Sequence, residues 1–402
     1  MNFLRKLWQR GRNLLPVEGF HFDRPIVLLQ SDDWGRAGLR DHEGFEQLAA
    51  AGLVLGERPY DYYTLETAED LAALRAVLRR HHDSAGRCPS LEMNFVVANL
   101  DFQKMDFEKI SADGFQQVHL LPLAEGLPAG WNRPGLLEAY REGIREGLFR
   151  PALHGTTHFC RAAVERYLAA SDLPDSGERG NLLRTLWRAG TPYIHWRMPW
   201  VGYEYWDPEG SADDRFLPAD TQRDLIGRAV GDFAKLFSTL PRSACAPGYR
   251  ANDDTHRASA QIGIRVAQNG PGAAIPPHFD RHGLLQLCRT VEFEPAVSPD
   301  FSLGACLRRA EACFERKIPA IVSVHSINFH SSVKDFRSRT LEFLDQFLAA
   351  VELAHPDLLY LHSEELYEVV NKGSRETVQG TLSVNVTRKS FTKSRVAPIP
   401  EA

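Results

Sequence analysis

The sequence predicts an α/β protein built around a parallel sheet or barrel, and three observations support this prediction. Short apolar runs rich in β-forming residues alternate with longer helical patterns along most of the 402 residues. The apolar runs are nearly continuous, which is typical of parallel strands buried on both faces. Four runs end in residues suited to metal binding or proton transfer, and the strand ends of a parallel barrel meet on one rim. These four are 26–33, 151–158, 246–249 and 321–325.

Each element is predicted from its own pattern: strands from apolar runs, helices from apolar residues at helical spacing. The predicted strands are 25–31, 91–97, 117–121, 150–154, 243–247, 263–268, 319–325 and 357–362, with 284–294 as an additional candidate. The predicted helices are Glu66–Arg80, Pro134–Glu146, Thr221–Leu240, Phe301–Arg316 and Phe336–Leu353. Because no low-complexity linker interrupts this alternation, we expect one main domain.

Two segments flank the predicted domain, which spans residues 23–371. Residues 1–22 carry apolar side chains at helical spacing among Arg and Lys. This basic amphipathic pattern predicts either contact of residues 1–15 with an anionic membrane surface or packing on the domain or on a second subunit. Residues 372–402 turn polar, so we expect a C-terminal tail that is mobile or lies on a neighbour.

Composition limits the partners and the compartment. The net charge is −5 with mixed signs along the chain, which argues against a nucleic acid partner. The six cysteines are scattered without a CxxC pair and predict reduced thiols. The sequence has no apolar run of about 18 residues for a membrane span, and its start has no secretory signal pattern. We therefore expect a cytoplasmic protein, with peripheral contact at the inner membrane face as an option and the oligomeric state open.

Two adjacent carboxylates, Asp32 and Asp33, follow the first predicted strand, and Trp34-Gly35 then turns the chain. Adjacent residues of an extended segment point in different directions, so one carboxylate can bind a metal while the other faces a substrate. The alternative for an isolated pair of this kind is that the acids cap a turn or a helix.

Two histidines, His154 and His158, stand four residues apart at another strand end. They can meet one cation if the segment makes a helical turn. Gly155 and the two threonines favour instead a tight loop whose hydroxyls support the ligands. Such a pair alone is often accidental. Beside a strand-end Asp pair it predicts a catalytic metal site, because two His and one Asp leave coordination positions open.

Together these residues resemble the polysaccharide deacetylase family, the NodB-homology group of carbohydrate esterase family 4. The matching motifs are Ser31-Asp32-Asp33, His154 to His158 with Gly155 in the place of a Ser or Thr, and Val322-Ser323-Val324-His325. The resemblance covers about residues 23–370 in order and spacing. It implies a distorted (β/α)7 barrel of the NodB-homology type.

The resemblance also implies a role for each residue. The metal ligands would be Asp33, His154 and His158, holding one divalent ion for which zinc is the default. Asp32 would be the general base, and His325 would protonate the leaving amine. The ion would polarise the acyl carbonyl, and the backbone amide of Tyr249 or a neighbour would help to stabilise the oxyanion.

The third motif of the family departs from this pattern. The family has Arg-x-Pro followed by Tyr or Trp, whereas here Cys245 stands in the place of the Arg, two residues before Pro247. Either Arg250 or Arg242 could supply the missing charge. The candidates for the acid that orients this charge are Asp253, Asp254 and Asp280. Activity is therefore an open question at this motif.

Other residues are candidates for substrate contact. They are Trp34, Asn94, Trp196, Arg197, Pro247, Tyr249 and Arg250. Asn94 could instead end its strand, as Asn often does. The aromatic segment 191–217 could stack on sugar rings, cover the barrel mouth or form a dimer contact.

We interpret the chain as a metal-dependent deacetylase that removes an N-acyl group, expected to be acetyl, from a sugar in cell-surface polysaccharide or O-antigen biosynthesis. Its carbohydrate substrate would be a nucleotide sugar or a lipid-linked glycan. One alternative is a glycoside hydrolase with Asp32 as nucleophile. Another is a non-catalytic barrel that binds glycan or acts as a scaffold, which the missing Arg favours.

Overall fold

The computed structural model describes residues 17–101, 104, 118–169, 201–211, 214–377 and 380–389. The strands are β1 Val17–Phe22, β2 Ile26–Trp34, β3 Leu91–Phe95, β4 Ala98–Leu100, β5 Leu120–Pro122, β6 Phe149–Leu153, β7 Trp206–Ser211, β8 Asp214–Phe216, β9 Ser243–Cys245, β10 Val266–Asn269, β11 His278–Phe279, β12 Leu285–Cys288, β13 Val291–Glu292, β14 Ala320–His325, β15 Leu359–Tyr360, β16 Ser374–Thr377 and β17 Gly380–Lys389. The helices are α1 His42–Ala50, α2 Ala68–Leu78, α3 Leu136–Arg145, α4 Arg161–Ala169, α5 Ala219–Phe237, α6 Asp253–Ile262, α7 Leu303–Glu315, α8 Arg337–Ala354 and α9 Ser363–Lys372.

The main sheet is a parallel barrel that closes on itself through one stretch of chain. Its strands pair in the order β14, β2, β3, β6, β9, β10 and β12. Only Arg289 and Thr290 separate β12 from β13, and β13 pairs with β14 at the far end of that order. The Thr290 amide also donates to the carbonyl of Ile321, at 2.9 Å. The segment 285–292 is therefore one strand that changes partner midway, which confirms the prediction of a distorted (β/α)7 barrel.

Most predicted elements appear in the structure. The predicted strands that lie in the barrel are 25–31, 91–97, 150–154, 243–247, 263–268, 284–294 and 319–325. The five predicted helices correspond to α2, α3, α5, α7 and α8. Two strand predictions fail in part. The run 117–121 contributes only β5, which pairs antiparallel with β4 outside the barrel and is half-buried. The run 357–362 contributes the two-residue β15, beside the start of β2.

A small antiparallel sheet covers the N-terminal end of the barrel. Residues 374–377 and 380–389, which we expected to belong to a polar tail that is mobile or lies on a neighbour, form β16 and β17, and β17 pairs with β1. The buried Phe20, Phe22 and Leu382 of this sheet pack with apolar residues of the barrel strands, such as Leu28. Polar residues between the apolar ones hid this pattern in the sequence. With this end covered, the opposite rim is left for a site.

A larger hydrophobic core lies between the barrel and the surrounding helices. Leu29 and Val322, from paired strands, belong to it together with Phe347 of α8. All six cysteines are free thiols, as expected. Among the helices of the described ranges, none combines the length and the hydropathy that a membrane crossing needs.

Candidate active site

The Asp32-Asp33 pair lies on a bulge at the C-terminal end of β2. The pairing of β2 with β3 shifts register between Ser31 and Trp34, and Asp33 has a φ of 72°. This left-handed conformation costs a non-glycine residue about 1–2 kcal/mol. The carbonyl of Asp33 accepts a hydrogen bond from the Tyr63 hydroxyl at 2.7 Å, which helps to hold it. The bulge, rather than the extended chain we predicted, directs the two carboxylates to different partners.

The Asp33 carboxylate faces both predicted histidines. Its Oδ1 lies 3.2 Å from His158 Nε2 and 3.6 Å from His154 Nε2, while Oδ2 lies 3.1 Å from the Arg36 guanidinium. All three candidate ligands are buried, and their ligand atoms lie within 4.8 Å of one another. Within the described part of the chain, Asp33 Oδ1 has no hydrogen-bond partner. Since an unsatisfied buried carboxylate oxygen is costly, a cation between these groups fits the site.

The protonation of these groups favours the same conclusion. Burial would raise the pKa of Asp33, but the Arg36 guanidinium and the two imidazoles hold it well below its usual range. His154 Nδ1 lies 2.8 Å from the carbonyl of Cys245, which can only accept a hydrogen bond, so Nδ1 carries a proton. Nε2 is then the nitrogen that faces Asp33 Oδ1, and in a neutral ring its lone pair and the carboxylate oxygen can together bind a cation.

The segment that carries the two histidines is a tight loop, as Gly155 and the two threonines predicted, and the two imidazoles approach Asp33 without a helical turn. Gly155 has a φ of 82°, which interrupts any helix. The buried carboxylate of Glu204 accepts hydrogen bonds from the amides of Thr156 at 2.9 Å and Thr157 at 3.4 Å. Burial raises the pKa of Glu204 to about 7 against these hydrogen bonds.

The other carboxylate, Asp32, forms a buried bidentate ion pair with Arg289. The two guanidinium nitrogens of Arg289 lie 2.6 Å from the two Asp32 oxygens, and both side chains are almost completely buried. Asn94 Nδ2 donates to Asp32 Oδ1 at 2.9 Å. Burial would raise the pKa of Asp32, but the Arg289 guanidinium holds it well below its usual range. Asp32 is therefore a fixed carboxylate at neutral pH.

The guanidinium that pairs with Asp32 belongs to Arg289, and neither arginine suggested for the charge of the third motif lies there. Arg242 donates to the carbonyl of Gly263, and Arg250 stacks on aromatic rings at the rim. The acids expected to orient the charge pair elsewhere: Asp253 with Arg281 and His282, Asp254 with Arg257, and Asp280 with His256. Arg289 had a signal in the sequence, because a charge within an apolar strand needs a buried partner.

Cys245, in the place of the family's Arg, is a buried thiol 3.8 Å from Asp32 Oδ2. Together with His154 these residues form a second cluster of candidate ligands. Burial and the charge of Asp32 raise the pKa of Cys245 well above its usual range. Because Arg289 already binds both oxygens of Asp32, the Asp33 cluster is the better candidate for a cation.

His325 ends β14 on the other side of Asp32. Its Nδ1 lies 2.7 Å from Glu294 Oε1, and its Nε2 lies 3.9 Å from Asp32 Oδ2. Burial would lower the pKa of His325, but Glu294 and then Asp32 raise it to about 9. His325 is thus an imidazolium at neutral pH. The side chain is 24% exposed, so it can reach a substrate at the mouth. Sequence reasoning missed Glu294, although it lies in the predicted strand 284–294.

Tyr249 brings a hydroxyl rather than an amide to the site. Its amide donates to the carbonyl of Ala246 at 2.8 Å, so the predicted oxyanion donor is already engaged. The hydroxyl accepts a hydrogen bond from Arg289 at 3.0 Å and lies 3.5 Å from His325 Nε2. Burial and then Asp32 raise the pKa of Tyr249 well above its usual range, so the hydroxyl keeps its proton.

Of the other predicted substrate contacts, three are buried: Trp34, Asn94 and Pro247. Trp34 is fully buried and stacks on Phe329 with ring centroids 5.7 Å apart. Asn94 is fully buried behind Asp32. Pro247 is buried beside the Gly155 loop. Trp196 and Arg197 lie outside the described residues.

Among the predicted contacts that the structure describes, Arg250 is exposed and lies at the rim. Its guanidinium stands 5.7 Å from the ring centroid of Tyr203 and 5.0 Å from that of Trp206. The Tyr203 ring in turn lies 5.7 Å from the ring of His158, so Arg250 is one aromatic ring away from the candidate ligands. Among the described residues, no carboxylate forms an ion pair with Arg250.

Comparisons with known proteins gave structural similarities only. No family model and no curated protein matches the sequence. A proposed polysaccharide deacetylase from Mycobacterium smegmatis is 13% identical, with 89% of this chain and 94% of that one covered and a TM-score of 0.45. A proposed glycoside hydrolase/deacetylase from Parabacteroides distasonis is 11% identical, with coverages of 91% and 74% and a TM-score of 0.47. A family 4 carbohydrate esterase from Streptomyces lividans, solved with acetate, is 11% identical, with coverages of 83% and 90% and a TM-score of 0.32.

Proposed function

We propose that this chain is a metal-dependent deacetylase that removes an N-acyl group, acetyl in the first instance, from a sugar in cell-surface polysaccharide or O-antigen biosynthesis. The observation that carries the proposal is the buried Asp33 Oδ1, which lacks a hydrogen-bond partner within the described ranges and faces two imidazole nitrogens. A fixed carboxylate and an imidazolium, Asp32 and His325, lie beside it. This is the set of groups that amide hydrolysis requires.

Asp33, His154 and His158 would hold one divalent ion, and zinc is the first choice for two His and one Asp. When bound, the ion supplies Lewis acidity, which polarises a substrate carbonyl and makes water easier to deprotonate. Arg36 holds the second oxygen of Asp33 and so directs Oδ1 toward the two histidines.

The other side chains would move the protons. Asp32 accepts the proton of the attacking water, and Arg289 keeps its carboxylate ionised and correctly oriented. The Tyr249 hydroxyl donates to the oxygen on which negative charge develops. His325, charged because it pairs with Glu294, donates its Nε2 proton to the leaving amine.

The proposed function is tested by acetate release from a panel of N-acetyl sugars before and after dialysis against a chelator, with elemental analysis of the purified protein. We expect loss of activity on chelation and recovery with zinc. Activity that survives complete removal of metal would contradict the proposal. So would purified protein that carries and takes up no divalent ion.

The role of His325 predicts the alkaline limit of activity. The acid form of His325 is required, and its pKa is raised to about 9. As pH increases, kcat/KM should therefore fall with a midpoint near pH 9. Glu294→Gln removes the charge that raises this pKa, so the fall should move toward the ordinary histidine value near pH 6.5. The measurement is a pH profile of kcat/KM for both proteins.

The same pairing should appear in the pH dependence of stability. A histidine whose pKa is raised by folding stabilises the fold below its unfolded pKa, and this contribution is lost as pH rises through the folded value. The wild type should therefore lose stability relative to Glu294→Gln between about pH 6.5 and 9. In the activity measurement, kcat/KM that falls over the same alkaline pH range in the wild type and in Glu294→Gln would show that His325 is not the acid.

We propose a nucleotide sugar or a lipid-linked glycan as substrate, because both carry phosphate and Arg250 offers a guanidinium at the rim. Arg250→Gln should raise KM for N-acetylglucosamine 1-phosphate by about 10–100-fold, the equivalent of one charge-assisted hydrogen bond. KM for N-acetylglucosamine itself should not change. The control is Arg223→Gln, an arginine on α5 that pairs with Asp220. An equal effect on the two substrates would contradict recognition of the phosphate.

Two alternative functions lose support in this geometry. As a glycosidic nucleophile Asp32 would have to give up its bidentate pair with Arg289 to form a covalent bond, whereas as a base it needs only one remaining lone pair for a water proton. The non-catalytic alternative depended on a missing arginine, and Arg289 occupies that role.

We further propose that residues 23–371 are the catalytic unit and that the reaction takes place in the cytoplasm. The basic amphipathic pattern of residues 1–15 favours peripheral contact with the inner membrane face. These residues precede the described part of the chain.

A further inference from the structure

The loop between the two candidate histidine ligands is held from behind by a single buried carboxylate. Glu204, 2% exposed, accepts the amide protons of Thr156 and Thr157 on its Oε1. These are two of the three residues between His154 and His158. The loop has no regular secondary structure, so its amides depend on such side-chain partners.

The loop sequence is matched to this carboxylate. A Cβ at Gly155 would lie 1.9 Å from Glu204 Oε2, so any side chain there would have to displace the Glu204 carboxylate. The φ of Gly155, 82°, is also unfavourable for any other residue. This accounts for glycine at a position where the resemblance implies Ser or Thr. Glu204 occupies the space that such a side chain would need.

Glu204 itself is fixed by its neighbours. Tyr203 and Trp206 exchange backbone hydrogen bonds at 2.9 and 2.8 Å around it. The amide of Cys160, two residues after His158, donates to the carbonyl of Val201 at 2.9 Å. Backbone hydrogen bonds thus close the turn 203–206 around Glu204 and fix the segment 201–206 to the chain just after His158.

We propose that Glu204 is a positioning residue for the metal centre: it sets the path of the loop 155–157 and so the distance between the imidazoles of His154 and His158. It acts through two backbone amides and touches neither the ion nor the substrate. Ligands that are held ready for an ion lose less entropy on binding, so removing an outer partner typically weakens metal affinity about 10–100-fold. This inference rests on the proposed metal centre.

The test is the zinc dissociation constant of the full-length protein, measured by competition with a chromophoric chelator. Glu204→Ala should weaken zinc binding by about 10–100-fold. Glu204→Gln keeps an oxygen that can accept both amide protons, so its affinity should stay within about threefold of the wild type. Such rescue by the conservative variant separates positioning from a requirement for charge.

The matched control is Asp83→Ala. Asp83 is also a buried carboxylate that accepts two loop amides, from Ala85 at 2.8 Å and Arg87 at 2.9 Å, but it lies near the start of the barrel at Tyr360. This variant should lose stability without losing zinc affinity. Thermal unfolding of each variant shows whether Glu204→Ala is folded. If it is not, Gly155→Ala, which displaces the Glu204 carboxylate, should show the same loss of affinity.

The outcomes separate the inference from the function on which it rests. Wild type that binds no zinc would overturn both. Wild type that binds zinc no more tightly than folded Glu204→Ala would overturn the positioning role alone. Equal weakening in Asp83→Ala and Glu204→Ala would also overturn it, because general destabilisation would then explain the loss.

Discussion

Arg289→Met is expected to lower kcat/KM by more than about 100-fold and to reduce the free energy of unfolding by about 3–5 kcal/mol. The substitution leaves the Asp32 carboxylate buried without its cation, which is among the costliest changes that a protein interior can undergo. Asp32 would then take up a proton to avoid a buried charge, and a protonated acid cannot serve as the base.

The double variant Asp32→Asn/Arg289→Met separates the two effects. Without either charge the barrel interior should recover most of the lost stability, as measured by denaturant unfolding, while activity should stay absent. The control is Arg242→Met, since Arg242 donates to the backbone carbonyl of Gly263 rather than to a carboxylate of the candidate site. Near-normal turnover in Arg289→Met would show that the buried pair is purely structural.

Asp33→Asn should abolish stoichiometric zinc binding and lower activity by more than about 100-fold. Loss of a group that only supports a ligand typically costs up to about 100-fold, so loss of a direct ligand should cost more. The amide preserves the shape of the side chain but presents no negative charge to the ion. It can still accept from Arg36, so the fold should persist. Elemental analysis and acetate release measure the two losses on the same preparation.

Asp70→Asn is the matched control for Asp33→Asn. Asp70 is another buried aspartate paired with an arginine, Arg337 at 2.9 Å, and it is not among the candidate metal ligands. The Asp70→Asn variant should therefore retain zinc. If Asp33→Asn retained zinc and Cys245→Ala lost it, the ion would belong to the cluster around Asp32, contrary to our assignment.

The barrel could be predicted from the sequence because its strands are locally distinctive. An apolar run such as 320–325 is buried along nearly its whole length, so composition alone identifies it. The run 117–121 is also mostly apolar, but β5 is only half-buried, and the burial of a strand cannot be deduced from the composition of five residues. The small sheet of β1, β16 and β17 was missed because β17 pairs with β1 across most of the chain, a relation that local pattern does not encode.

The candidate site was predictable where its groups are close in sequence. Asp32, Asp33, His154 and His158 form two short motifs, and strand order brings them together. Arg289 and Glu204 were missed because their roles depend on contacts between distant segments. Arg289 is 257 residues from Asp32 in the chain, and Glu204 is 48 residues from Thr156. The positive φ of Asp33 could not be predicted either, because an aspartate in the sequence does not by itself indicate a left-handed backbone conformation.

The strand 285–292, whose two halves pair with opposite ends of the sheet, has a consequence for biosynthesis. A chain made from its N-terminus exposes Asp32 long before the ribosome reaches Arg289. Until then the carboxylate has no cation to accompany it out of water. Desolvation around Asp32 must therefore wait at least for the sixth barrel strand, and the second half of that strand gains its partner only when β14 follows at Ala320–His325.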